Sequence, residues 1–315
     1  MGTISIIGAT GLVGRKIIQV LKERNIYFDD YFLYSSGRTD ESIKIKDKIF
    51  KVMELKEKNI VGSDYAFFSA GDDISLKFAP LFRDKGSIVI DNSNAFRMDK
   101  DVPLVVPEIN IDEIKNHNGI ISNPNCSTII MLLPLYPIHR RYRIKKIFVS
   151  TYQSVSGAGR EGIEDIRKSK PHFFPKSIRF NLIPQIGELN NDGFSKEEMK
   201  MINETRKILN DTNICVFPTC VRVSVYYCHS EAITIETEKE MELNEVKNIL
   251  LNAKNVVYTN ELLTPKDVQD KDEVFVSRLR IYRDKRFLSL WVVGDNLRKG
   301  AATNAVQILE YLIND

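Results

Sequence analysis

Cys126 follows Asn123, Pro124 and Asn125 and precedes Ser127, Thr128 and the apolar run IIMLLPLY, so its sulfur stands where a loop becomes a helix. Backbone N–H groups and the helix dipole at such a point favour a thiolate over a thiol, and the thiolate is the nucleophile. Pro134 falls beyond the first turn of that helix and is expected to kink or shorten it. Histidine is the usual base for a cysteine. His117, His139 and His172 lie in polar or basic stretches and are expected to be exposed, whereas His229 ends the strand-like VRVSVYYC. His229 is either the partner of a catalytic cysteine or a structural histidine. Glu197 and Lys200 are three apart in the helical pattern SKEEMKMINETRKIL, so they share a face, either as a pocket pair or as a surface ion pair. Cys215, Cys220 and Cys228 lie on strand-like runs and read as buried fillers; their irregular spacing does not resemble a zinc site, and no metal is expected.

Stepping along the chain, TISII (3–7) runs into GATGLVG, after which Val13, Ile17, Val20 and Leu21 recur at helical spacing. Glycines at 8, 11 and 14 between a strand and a helix allow a backbone approach that leaves the first helical N–H groups to hold a phosphate, as in dinucleotide-binding units. The alternation continues through YFLYS (31–35), KIFKVMEL (48–55), YAFFSAG (65–71), the helical ISLKFAPLF (74–82), SIVIDNS (87–93) and GIISNPN (119–125). This pattern predicts a doubly wound, Rossmann-like, mainly parallel sheet. Longer alternating runs after about residue 130 predict a second, α+β domain with a largely antiparallel or mixed sheet, the one to which the family resemblance given below assigns catalysis and dimerisation. The expected division is 1–128 plus a C-terminal helical segment 297–315, and 129–296. Within the C-terminal segment 297–315, an amphipathic helix at 301–313 follows a DNLRKG turn and is expected to cover the first sheet.

At the end of the second strand an NAD enzyme usually carries Asp or Glu against the ribose 2′-hydroxyl. Here Ser35, Ser36, Gly37, Arg38 and Thr39 suit a 2′-phosphate, so NADP is predicted, although Asp40 and Glu41 lie just beyond.

The 315 residues argue for two domains, and 43% hydrophobic with 28% charged residues excludes disorder and coiled coil. A net charge of +3 does not make an electrostatic nucleic-acid surface. The basic run HRRYRIKK (139–146) has no interleaved aromatic platform and reads as a solvated face or strand approach. No apolar stretch approaches the roughly 20 residues needed to span a bilayer, and no signal-peptide pattern is seen, so a cytoplasmic protein is expected.

GATGLVG, SAG, DNSNAFR, NPNCST, TYQSVSGAG, EEMK, CVRVSVYYCHSE and WVVGDNLRKGAATNAVQI, in this order over nearly the whole chain, resemble the aspartate-semialdehyde dehydrogenase family. The resemblance implies a cytoplasmic homodimer or homotetramer that uses NADP(H) to convert L-4-aspartyl phosphate to aspartate semialdehyde and inorganic phosphate. It implies Cys126 as nucleophile, His229 as acid/base, Gln153 orienting the acyl group, and Asn125 beside the nucleophile. Arg97 and Lys200 would bind phosphate, Arg222 the substrate α-carboxylate and Glu197 the α-ammonium. The cofactor would touch Gly8, Thr10, Gly11, Leu12, Val13, Ser36, Arg38, Thr39, Ser69, Ala70, Gly71, Ser156, Gly157 and Asn296.

The alternatives are an N-acetyl-γ-glutamyl-phosphate reductase, whose substrate lacks a free ammonium, and a catalytically silent dinucleotide-binding paralogue. Arg222 and His229 are seven apart and would point to opposite faces of one regular strand, so a bulge or turn is expected near Tyr226 to Cys228. The 160–180 segment is shorter than in common bacterial relatives of that family, where a helical excursion helps build the subunit contact.

Overall fold

The computed structural model describes residues 2–37, 40–168 and 171–314, so Arg38 and Thr39 lie outside the described residues. The chain divides into two compact units, residues 1–124 with 301–315, and residues 125–300.

The first unit runs β1 (Thr3–Ile7), α1 (Leu12–Glu23), β2 (Asp30–Ser35), β3 (Ser42–Ile45), β4 (Lys48–Glu54), β5 (Tyr65–Phe68), α2 (Asp72–Asp84), β6 (Ile88–Asp91), α3 (Pro107–Asn110) and β7 (Ile120–Ser122). Its sheet has the order β3-β4-β2-β1-β5-β6-β7, parallel except for the β3–β4 hairpin. Ile4 and Ile6 of β1 belong to one core, and Ile7 to the core on the opposite face. A strand covered on both faces reads as an unbroken apolar run, which is why TISII does not alternate. The turn after β1 needs its glycines. Gly8 has φ +85, and a side chain at Gly14 would put its Cβ 2.2 Å from the Gly8 carbonyl oxygen, so only glycine lets α1 pack this closely.

The second unit runs α4 (Cys126–Tyr142), β8 (Ile144–Gln153), α5 (Gly159–Arg167), β9 (Leu182–Ile183), α6 (Lys196–Leu209), β10 (Cys215–Val223), β11 (His229–Thr237), α7 (Leu243–Leu251), β12 (Val256–Tyr258), α8 (Pro265–Val268), β13 (Val274–Ile281) and β14 (Phe287–Gly294). The chain then returns to the first unit as α9 (Thr303–Asn314), which packs against α1 and β6. The second sheet is mixed, in the order β12-β13-β14-β11-β8-β10-β9. Its alternation separates two faces. Thr151, Gln153, Cys220, Arg222, His229 and Glu231 are buried on one, while Phe148, Tyr152 and Phe217 are exposed on the other.

Four expectations are corrected. First, α4 is not shortened at Pro134: it continues through Pro134 and Pro137 to Tyr142. Each proline costs about 3 kcal/mol in a helix interior, but every residue from Ser127 to Leu135 is buried, at roughly 1.5–3 kcal/mol per large apolar side chain. Second, His139 is buried rather than exposed, because its Nδ1 accepts the Ile144 N–H (3.2 Å) where α4 gives way to β8. Third, Cys228 sits in a turn with φ +67, not on a strand, and Cys215 is only partly buried. Fourth, the DNLRKG turn is confined to its first residues, since Arg298–Ala302 already form a π-helical turn leading into α9.

Among the described residues, no helix is long and apolar enough to cross a membrane, and no group of three or more His, Cys, Asp or Glu could hold a metal ion.

Candidate active site

Cys126 is the first residue of α4, and Asn125 is its cap. The Asn125 side-chain oxygen accepts the Ser127 and Thr128 N–H groups at 3.0 and 3.2 Å, which satisfies two of the donors that open the helix. The Asn125 amide nitrogen donates to Glu197 Oε1 at 2.8 Å, and its backbone N–H to Glu204 Oε2 at 2.7 Å. Two carboxylates of α6 therefore hold the helix entrance that carries the cysteine. Glu198 closes a capping box with Ser195 at the start of α6, which explains why the helix begins where it does.

Glu197 faces inward and is almost wholly buried, with Lys200 Nζ 3.1 Å from its Oε2. The pair is therefore not the solvated surface ion pair that spacing alone left open. Burial alone would raise the Glu197 carboxyl, but Lys200, the Asn125 amide and Arg222 outweigh it and hold it down at about 2. The amide nitrogen of Gln153, at the end of β8, reaches Glu197 Oε1 at 3.3 Å and also donates to Ser127 Oγ.

Arg222 on β10 pairs in register with Gln153, and β10 and β8 run parallel. Between β10 and β11 the chain turns through residues 224–228, and the left-handed Cys228 absorbs the reversal. The interruption expected between Arg222 and His229 is thus present, and both side chains lie on the buried face. Arg222 Nη1 donates to the Ser154 carbonyl at 2.7 Å, while its Nε is buried without a protein partner. Burial lowers the Arg222 guanidinium, with Glu197 and then Cys126 pulling the other way.

The His229 imidazole is fully buried; its Nδ1 lies 3.1 Å from the Ser154 N–H and its Nε2 has no protein partner. Burial first, then Arg222, push this imidazole down to about 3, with Glu197 and the Cys228 backbone pulling the other way. A side chain at Gly157 would place its Cβ 2.8 Å from Arg222 Nη1 and 3.3 Å from His229 Nε2. That glycine keeps open the space both groups face.

Asn125, Cys126, Gln153, Glu197, Lys200, Arg222 and His229 all belong to the second unit, as do Ser156, Gly157 and Asn296. Asn296 is tied to Ser154, Ser156 and the Cys228 N–H. Arg97 belongs to the first unit, where its Nε donates to the Asn123 carbonyl (3.0 Å) and Nη2 to that of Asn92 (2.8 Å).

The glycine turn also belongs to the first unit. Gly11 caps α1 with no side chain, leaving the opening N–H groups at Leu12 and Val13 without a side-chain cap, a cradle that fits a phosphate. Thr10 Oγ1 meets Ser35 Oγ at 3.2 Å, Ser36 is exposed, and Ser69 bonds back to Ile7 before Ala70 and the positive-φ Gly71 open α2. Glu41, which could have served an NAD ribose, is engaged by Arg15.

Sequence reasoning missed Glu204, Ser154 and Arg15. Glu204 alone had a local signal, since it lies seven residues, two helical turns, after Glu197.

Two family models match the chain: the semialdehyde dehydrogenase NAD-binding domain over residues 3–117 and the semialdehyde dehydrogenase dimerisation domain over residues 135–299. The first unit thus carries a nicotinamide-dinucleotide-binding domain. An aspartate-semialdehyde dehydrogenase of Aquifex aeolicus is 48% identical over 99% of this chain and 98% of its own. That of Bacillus subtilis is 40% identical over 98% and 96%. The crystal structure of aspartate semialdehyde dehydrogenase II from Vibrio cholerae, complexed with ASA, superposes with a TM-score of 0.95 at 41% identity, covering 100% of this chain and 99% of that one. Two domain models in chain order, and relatives that match almost end to end, leave one reading of the cysteine-bearing helix and its neighbours: the chain belongs to the aspartate-semialdehyde dehydrogenase family.

Proposed function

We propose that the chain catalyses the NADP-dependent reductive dephosphorylation of L-4-aspartyl phosphate to L-aspartate 4-semialdehyde, a cytoplasmic step toward lysine, methionine and threonine. The observation that carries this reading is the Glu197 cluster: one buried carboxylate among Lys200, Arg222, Gln153 and the cap of the Cys126 helix. A substrate bearing an ammonium, a carboxylate and a phosphate calls for this mixture of one anion and several cations. Glu197 would accept the α-ammonium, Arg222 the α-carboxylate and Lys200 the phosphate. Arg97, in the first unit, carries a proposed phosphate role on the chemistry of its guanidinium. The N-acetylated alternative has no ammonium to meet Glu197 and is disfavoured on that ground.

The Cys126 thiolate attacks the acyl carbon; the carbon–oxygen bond to phosphate breaks, phosphate leaves with the electron pair, and a thioester remains on sulfur. Gln153 orients the acyl group. When bound, the dinucleotide supplies the hydride that takes the thioester to the aldehyde level, and Cys126 is then expelled as thiolate. His229 handles the proton balance at the reacting centre, a role typically worth 10²–10⁴-fold.

Gly8, Thr10, Gly11, Leu12 and Val13 would hold the dinucleotide phosphates, with Ser69, Ala70, Gly71, Ser156 and Gly157 as further proposed contacts. Ser36, with Arg38 and Thr39, would take the 2′-phosphate. The engagement of Glu41 by Arg15 supports NADP over NAD.

A homodimer is proposed through the exposed face of the second sheet, where Phe148 and Phe217 stack with centroids 4.9 Å apart. The matched dimerisation-domain model spans the strands that carry them.

The deciding experiment follows NADPH formation from aspartate semialdehyde with phosphate present and then omitted. Phosphate-dependent turnover, faster with NADP than with NAD, is expected. Equal rates without phosphate, or preference for N-acetylglutamate semialdehyde, would overturn the proposal.

A further inference from the structure

Gly300 stands in the π-helical turn Arg298–Ala302, and its φ lies outside the left-handed region, so its backbone conformation asks for no glycine. The space around it does. A Cβ built at this position would come 2.8 Å from the Cys126 Cβ and 3.3 Å from the Cys126 Cα. Neither atom is the loose end of a side chain, so an added methyl has to move the entrance of α4 or the turn itself. The main chain at Gly300 is thus packed directly against the carbon that carries the Cys126 sulfur.

The turn is fastened before it reaches that contact. Asp295, 2% exposed, accepts the Leu297 and Arg298 N–H groups on Oδ1 at 2.9 and 3.1 Å, and its carbonyl accepts the Gly300 N–H at 3.1 Å. Its Oδ2 accepts the Asp270 N–H at 2.8 Å, and Arg298 Nε donates to Asp272 Oδ1 at 2.7 Å, so the loop at residues 270–272 anchors the turn twice. The preceding residue of α4, the cap Asn125, is held by Glu197 and Glu204. Cys126 therefore has an anchored cap before it and an anchored turn against its Cβ, all within the second unit. Stretches of π-helix are rare and gather at functional places, which agrees with a turn spent on one contact.

We infer that Gly300 is a positioning residue for Cys126: its bare α-carbon lets the Asp295–Gly300 turn close against the Cys126 Cβ and fixes where the sulfur stands at the entrance of α4. The inference rests on the reading of Cys126 as the nucleophile proposed above. A sulfur pushed away from that entrance loses both its aim at the acyl carbon and the N–H groups and helix dipole that favour the thiolate. A misplacement of about 1 Å is enough to cost on the order of 10²-fold in rate.

The test compares the full-length parent with Gly300→Ala and Arg298→Met, each checked by circular dichroism. Arg298→Met frees the turn from Asp272 without adding bulk beside Cys126, and it decides the question if Gly300→Ala does not fold. Steady-state kinetics with aspartate semialdehyde, phosphate and NADP are measured on each. The rate at which iodoacetamide alkylates Cys126 in the resting enzyme at one pH is followed by peptide mapping. In Gly300→Ala kcat is expected to fall roughly 10- to 100-fold, and in Arg298→Met about threefold to tenfold, with the KM for NADP changing less than about twofold. Alkylation of Cys126 is expected to slow by about fivefold or more in both. An unchanged kcat, or unchanged or faster alkylation, in a folded variant overturns the inference. A raised KM for NADP at unchanged kcat likewise refutes it and assigns the turn to the dinucleotide. Alkylation is read without substrate, so failure here is distinguishable from failure of the proposed reaction, which would show as turnover surviving in Cys126→Ala.

Discussion

Glu231 is a carboxyl with 0% exposure and no protein partner for either oxygen, set on β11 opposite Thr151 of β8 and Val292 of β14. Burial pushes it well above the ordinary carboxyl range, because no cation compensates the charge it would carry. The folded chain therefore keeps a proton at pH values where the unfolded chain, titrating near about 4.3, has lost it. Unfolding then releases one proton, so this group's contribution to stability falls as pH rises, by about 1.4 kcal/mol per pH unit until the folded carboxyl itself ionises. Glutamine has nearly the same shape and no such proton. Glu231→Gln should thus change stability by less than about 1 kcal/mol near pH 5 and gain on the parent above it, by about 1.4 kcal/mol per pH unit for as long as the folded carboxyl keeps its proton. At about 2–4 °C per kcal/mol, that is a widening Tm difference on the order of 5 °C or more. Melting both proteins in parallel at several pH values cancels every other titrating group they share. A constant difference across pH, or a variant that loses ground as pH rises, would mean that Glu231 is ionised and compensated in the native state.

Two further substitutions probe the site and its cofactor. Gly157→Ala drives a Cβ to 2.8 Å from Arg222 Nη1 and 3.3 Å from His229 Nε2, so kcat/KM should fall on the order of 10²-fold while circular dichroism stays unchanged; full activity would show that this space is not used. Arg15→Ala strips Glu41 of its cation beside the segment proposed to select NADP. The ratio of kcat/KM for NADP over NAD should fall by roughly fivefold to tenfold, and an unchanged ratio would remove Arg15 from cofactor choice.

What could be read in the sequence was what short-range geometry encodes. Glycines between a strand and a helix have few other uses, so the turn at Gly8 to Gly14 was legible. A cysteine just after Asn-Pro-Asn and just before an apolar helix is likewise a local signal. The seven-residue spacing of Arg222 and His229 required a break, and Cys228 supplies it in a left-handed conformation. What escaped notice depends on elements brought together from afar. The Asn125 bond to Glu204 spans 79 residues and the Ser154 bond to Asn296 spans 142, so no local periodicity could reveal them. The prolines of α4 misled for the same reason: their local cost is real, and burial of the stretch from Ser127 to Leu135 against the second sheet and α6 outweighs it. His139, in a basic run, looked solvated until the return of the chain into β8 gave its ring the Ile144 N–H.

The proposed chemistry turns on an acyl group resting on one sulfur. Incubating the enzyme with aspartate semialdehyde and NADP without phosphate, quenching in acid and mapping peptides by mass spectrometry tests that directly. One aspartyl adduct on the peptide containing Cys126, discharged when phosphate is added and missing in Cys126→Ala, is the predicted result. Turnover that persists in Cys126→Ala, or an adduct carried by another residue, would contradict it.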